Sequence, residues 1–114
     1  MRVLVTGSRG WTDENAIHER LARLPEGTTI IHGRAERGAD KIADAHAIQL
    51  GFDVVRYRAN WDRLGKRAGV IRNLEMLDTN PDLVLAFWDG SSRGTRLCIE
   101  AARERGIPVE VISP

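Results

Sequence analysis

Residues 83–102 read LVLAFWDGSSRGTRLCIEAA, and the fold turns on how this stretch is divided. The near-continuous apolar run DLVLAFW (82–88) has the composition of a strand at the centre of a parallel sheet, buried on both faces. It stops at a loop with two glycines. A helix over 95–105 follows at once, closed by RGIP with glycine at the stop and proline just beyond. The loop between them offers small residues, hydroxyls and a guanidinium together, a composition suited to an anion.

The same alternation runs through the chain. RVLVT (2–6), TTIIH (28–32), DVVRY (53–57) and PVEVIS (108–113) read as the other strands. A helix over 12–24 has Thr12 as its expected N-cap, and Ile17, Leu21 and Leu24 recur at the spacing of one buried face. A second helix carries the stripe Ala39, Ile42, Ala43, Ala47 and Leu50 before Gly51. Residues 62–78 read as a loop followed by a helix from about Val70, because Gly65 and Gly69 weaken the first half. Five strands alternating with four helices predict an α/β fold: a single Rossmann-like domain over 1–114, with a doubly wound parallel sheet of order 3-2-1-4-5 and helices on both faces.

A chain of 114 residues suits one core. No apolar run approaches the ~20 residues of a membrane span, so no membrane partner is expected. The single cysteine forms no internal disulfide, which favours a cytoplasmic setting. With a net charge of +1 and no basic tract, nucleic acid is not expected as a partner. The 15 Arg against 2 Lys fit either phosphate recognition or the codon usage of a GC-rich genome, and twelve alanines fit the latter. Only the position of an individual arginine argues for function.

In an open α/β sheet, ligands bind beyond the carboxyl ends of the strands where the strand order reverses. Three glycine-rich loops converge there: GSRGWTD (7–13), HGRAERGAD (32–40) and DGSSRGT (89–95). Each opens a helix whose free N–H groups and dipole favour an anion, and the convergence points to a nucleotide phosphate. Gly94 is expected at positive φ, where the phosphate meets the backbone. Neither GSRG nor GSSRGT completes a dinucleotide or P-loop fingerprint. Asp40 reads either as a dipole-stabilising acid or as an acceptor for a ribose hydroxyl. Trp11 and Trp61 read either as core or as stacking surfaces for a base. His18, His32 and His46 share no metal-ligand spacing, so no metal or cofactor is expected; His46 reads as packing, and His32 is open between packing and site.

The motifs VTGSRGWTD (5–13), HGRAERGAD (32–40), WDRLGKRAGVIRNLEM (61–76) and AFWDGSSRGT (86–95) resemble, in order and spacing, the YspA-like SLOG family. This is a group of small Rossmann-like proteins of bacteria and phages. Its wider superfamily includes the Lonely Guy (LOG) phosphoribohydrolases and the DNA-processing protein DprA. The resemblance implies a binder of nucleotides or nucleotide derivatives. It assigns ligand contacts to Gly7, Ser8 and Arg9, to Gly33, Gly38, Ala39 and Asp40, and to Arg72 and Asn73. It adds Gly90, Gly94 and Thr95 of the phosphate loop, to which the loop's own small hydroxyl residues add Ser91 and Ser92. Many relatives have a glycine where Arg34 stands. LOG enzymes carry P-G-G-x-G-T-x-x-E, whereas this chain reads DGSSRGTRLC, with Cys98 at the acid position.

The leading reading is therefore a sensor or sequestering module for a small nucleotide ligand: ADP-ribose or a relative of it, a cyclic dinucleotide or a nucleoside phosphate. The alternative is a LOG-like N-glycosidase, with Arg72 holding phosphate and Asp89 or Asp40 assisting departure of the base. Because LOG proteins associate, a homodimer is compatible with either.

Overall fold

The computed structural model describes residues 1–114 and contains a five-stranded, all-parallel sheet of order β3-β2-β1-β4-β5. The strands are β1 (Arg2–Gly7), β2 (Thr29–His32), β3 (Asp53–Arg56), β4 (Leu83–Phe87) and β5 (Val109–Ile112). Helices α1 (Glu14–Ala22) and α2 (Ala39–Gln49) follow β1 and β2. A one-turn helix α3 (Trp61–Leu64), a 3-10 turn (Gly65–Arg67) and α4 (Ala68–Asp78) connect β3 to β4, and α5 (Arg93–Glu104) connects β4 to β5. This is the doubly wound architecture and strand order that the alternation predicts. No helix is long and apolar enough to cross a membrane.

The period-two alternation of β1 divides the core. Val3 and Val5 face α1 and α2, where they pack with Ile17, Leu21, Ala43 and Ala47. Leu4 faces the opposite layer, where Met76 and Leu77 of α4 meet Cys98 and Ala102 of α5. Val3, Leu4 and Val5 are fully sequestered because β1 has a neighbour on each edge and a helical layer on each face.

Four local boundaries differ from the sequence reading. Asp13, not Thr12, caps α1, and its Oδ1 accepts the Ala16 N–H at 3.1 Å. A carboxylate adds charge to the same capping geometry, which favours it at the positive end of the dipole. The segment after β3 begins with a helical turn rather than a loop, because Asn60 Oδ1 caps it through the Arg63 N–H at 3.1 Å. Gly65 (φ +58) then breaks the helix, but Gly69 does not, so α4 starts at Ala68 rather than Val70. At Gly69 a Cβ would lie 3.3 Å from the Trp61 ring, and the missing side chain seats the indole. Finally, α5 begins at Arg93, with Ser92 as its N-cap.

Trp11 is core: it is buried, meets Phe87 edge-on at 5.5 Å, and donates its indole N–H to Asp13 O at 2.9 Å. His46 is only half-buried. Its Nδ1 lies 2.8 Å from His18 Nδ1 and its Nε2 3.1 Å from Glu14 Oε1, so it joins α1 to α2 across their outer seam.

Candidate functional site

The β1–α1, β2–α2 and β4–α5 loops meet above the carboxyl ends of β1, β2 and β4, as the topology requires. Between them and α4 lies a cleft of about 690 Å³, within the size range of small-molecule sites. Of the residues singled out in the sequence, Gly7, Ser8, Arg9, Gly33, Asp40, Arg72, Asn73, Asp89, Ser92, Gly94 and Thr95 line it. Gly38, Ala39, Gly90 and Ser91 do not.

Two of the loop glycines lock the loops together. A Cβ on Gly7 would lie 2.5 Å from Ala39 Cβ and 2.6 Å from Phe87 O. Gly38, at φ +81, would meet Ser8 O at 2.4 Å. Ser8 is buried and fully engaged. Its N–H donates to Phe87 O at 3.0 Å, its carbonyl accepts from Trp11 and Ala39, and its Oγ accepts the Asp89 N–H at 3.1 Å. Gly7, Ser8, Gly38 and Ala39 thus form the seam behind the cleft, where the requirement is close backbone approach.

The β4–α5 loop is also arranged differently from a plain phosphate cradle. Asp89 Oδ1 accepts the N–H groups of Ser91 (2.8 Å) and Ser92 (2.9 Å), two of the donors that an anion would otherwise use. These bonds hold the Asp89 carboxyl below the usual carboxylate range. Asp89 is therefore an ionised loop staple at neutral pH and has no proton to give a leaving base. The positive φ falls on Gly90 (+88), while Gly94 lies inside the first turn of α5, where a Cβ would point into open space. Trp88, which sequence reading passed over, donates its indole N–H to Ser92 O at 2.9 Å and pins the start of α5. Ser92 places no side-chain oxygen on the helix; its hydroxyl lies 3.1 Å from Thr95 Oγ1 instead. The N–H groups of Arg93, Gly94 and Thr95 thus have no acceptor within the protein.

Across the cleft stands Arg72. Its Nη1 donates to Gly33 O at 2.5 Å and its Nε to Asn73 Oδ1 at 3.1 Å, which fixes the guanidinium plane. It lies flat over Gly33, where a Cβ would come within 2.6 Å of Cζ. Gly33 therefore makes room for Arg72. Asp40 lies behind, only 7 % exposed, and accepts the Ala35 N–H at 3.3 Å. Burial pushes its carboxyl above the ordinary aspartate range, against the opposing pull of His32 and Arg72.

His32 is a structural residue. It is buried, Nδ1 accepts the Arg34 N–H at 2.9 Å, and Nε2 lies 2.6 Å from Asp44 Oδ2. The first bond leaves the ring proton on Nε2, donated to Asp44, which also receives Arg56 at 2.6 and 3.0 Å. The Arg56 ion pair holds the Asp44 carboxyl below its ordinary value. Arg34 adopts the left-handed conformation (φ +55) that glycine enters more readily. Trp61, by contrast, is 49 % exposed at the rim of the cleft.

Cys98 faces the core between α4 and α5, not the cleft, and burial pushes its thiol up to about 11. Glu100 is exposed and sits 3.8 Å from Arg96 on the outside of α5. Neither residue presents a carboxylate to the cleft. No group of three or more acidic, histidine or cysteine side chains is arranged to hold a metal ion.

The model of the YspA, cpYpsA-related SLOG family (YAcAr) matches residues 1–64. The chain is 48 % identical over 117 residues to the Gene 61 protein of Mycobacterium phage D29, across 95 % of this chain and 93 % of that protein. No solved structure gives a significant match. Sequence match and an all-parallel 3-2-1-4-5 sheet agree: this chain belongs to the YspA, cpYpsA-related SLOG family.

Proposed function

We propose that the cleft binds a nucleotide or nucleotide derivative through a phosphate, and that the protein acts as a sensor or sequestering module. The observation that carries this reading is the pairing of an uncapped helix end with a fixed guanidinium. The first turn of α5 presents the free N–H groups of Arg93, Gly94 and Thr95 to the same cleft that Arg72 and Asn73 line from α4. Helix N–H groups and the dipole favour a dianion, and an anchored arginine adds charge-assisted donors at little further ordering cost. The exposed Trp61 indole at the rim is suited to stacking a base. A cytoplasmic setting belongs to the same reading, supported by a lone, buried thiol that has no disulfide partner.

A hydrolytic reading rests on Asp40, the cleft carboxyl that burial biases towards its protonated form. Against it, Asp89 is held ionised by the loop and the LOG acid position is filled by the inward-facing Cys98. Loss of one positioned acid or base typically costs about 10²–10⁴ in rate. Both readings are tested together by titrating AMP, GMP, CMP and UMP into the purified protein and chromatographing the mixtures. The binder reading expects saturable binding of at least one nucleotide with no free base released. Release of base at enzyme-like turnover would replace it with the hydrolytic reading, and absence of binding to all four would remove both for monophosphates.

A further inference from the structure

Beyond the cleft, the wall formed by Arg72, Gly33 and Trp61 separates it from a second basin of about 1040 Å³. This basin is strongly cationic. Arg34, Arg37 and Lys41 enter it from the β2–α2 side, Arg58 from the end of β3 and Arg9 from the β1–α1 loop. None of these five has a carboxylate within 4.0 Å. Arg56 also lines it but is committed to Asp44, and Glu36 is the one other acid on its wall. The chain as a whole carries 17 basic and 16 acidic residues, so this concentration of unpaired charge is a product of folding rather than of composition. Like charges crowded into a concavity repel one another and focus a positive field, an arrangement that an anionic occupant relieves.

We propose that the ligand carries two anionic groups: one phosphate in the cleft beside α5 and Arg72, and a second in this arginine basin. Arg9, Trp61 and Arg72 line both cavities, so the portion of the ligand joining the two anions crosses the exposed indole. The chemical class that fits is a 5′-phosphorylated, 3′–5′-linked dinucleotide, in which one nucleoside lies between two phosphates. The inference rests on the cleft being a nucleotide phosphate site, and it adds the second subsite and the size of the ligand.

The test compares adenosine 5′-monophosphate with the 5′-phosphorylated dinucleotide pApA by isothermal titration at 0.15 M salt. It uses the wild-type chain and the triple variant Arg37→Ala/Lys41→Ala/Arg58→Ala, whose replaced side chains are exposed and unpaired. The wild type is expected to prefer pApA by at least about tenfold, because the second contact is made intramolecularly. The variant is expected to lose that preference while its monophosphate affinity stays within about threefold, since Arg37, Lys41 and Arg58 are exposed, do not line the cleft and are screened by salt. A wild type that binds both equally, or a variant that keeps the preference, overturns the second subsite and leaves the cleft reading standing. Affinity that keeps rising with each nucleotide from pApA to longer oligonucleotides, with a steepening salt dependence, also overturns it in favour of a single-strand groove. Failure of the wild type to bind either probe counts against both readings.

Discussion

Replacing Gly33 with alanine separates the position of Arg72 from the stability of the fold. Gly33 is not in the left-handed region, so alanine fits its backbone, but the added Cβ would lie 2.6 Å from Arg72 Cζ and 2.7 Å from Nη1. The three atoms nearest the added Cβ all belong to the flexible end of the arginine, which gives way, and the bond from Nη1 to Gly33 O is lost with it. The displaced guanidinium reaches water, so the loss is on the order of 1 kcal/mol. Alanine recovers about 0.4–1 kcal/mol by restricting the unfolded chain. The melting temperature should therefore move by no more than a few degrees, about 1 kcal/mol at most. Binding behaves differently, because a charge-assisted contact contributes about 1.5–3 kcal/mol, equivalent to roughly 10- to 140-fold in affinity. Thermal unfolding and calorimetric titration of whichever monophosphate binds, on wild type and Gly33→Ala, measure the two effects separately. Unchanged affinity in Gly33→Ala would refute the argument that Arg72 must lie over Gly33 to meet the phosphate.

Gly38→Ala should instead cost about 2–5 kcal/mol in urea unfolding, from backbone strain at φ +81 plus a clash 2.4 Å from Ser8 O; a loss under about 0.5 kcal/mol would show that the seam can shift. Gly94→Val should reduce nucleotide affinity more than tenfold with the fold intact, since its side chain enters the open cleft from within a helix, whereas Ser91→Ala should stay within about threefold. The reverse ranking by calorimetry would mean that the first turn of α5 is not the anion site. Burial raises the Asp40 pKa above 3.8, so the native state holds this proton more tightly than the unfolded chain, and stability is lost as pH rises through the folded value. Asp40→Asn should accordingly melt at or above wild type at pH 7, with the gap closing as pH falls below 3.8; a much lower melting point at pH 7 would show that attraction to Arg72 outweighs burial.

The sheet order was legible because alternating strand and helix patterns leave few right-handed connections, and each strand carries its own burial signal. The convergence of the three glycine loops followed from that order. What each glycine does was not legible, since Gly7 and Gly38 look like Gly94 in sequence while two pack against backbone and one faces open space. The stapling of the β4–α5 loop by Asp89 is likewise invisible in sequence, because it is set by hydrogen bonds from Ser91 and Ser92. Trp11 and Trp61 sit in equivalent contexts along the chain, yet one is core and the other 49 % exposed. The arginine basin escaped composition altogether, because Arg9, Arg34, Arg37 and Arg58 become neighbours only when β3 and β1 flank β2.

The most direct test of phosphate binding at α5 is a titration of ¹⁵N-labelled protein with the monophosphates, following each backbone amide by NMR, with the corresponding nucleosides as controls. The account predicts that the largest shifts fall on the N–H groups of Arg93, Gly94 and Thr95 and on the Arg72 side chain, and that the nucleosides do not reproduce them. Equal shifts with nucleoside and nucleotide, or shifts that leave the first turn of α5 untouched, would contradict it.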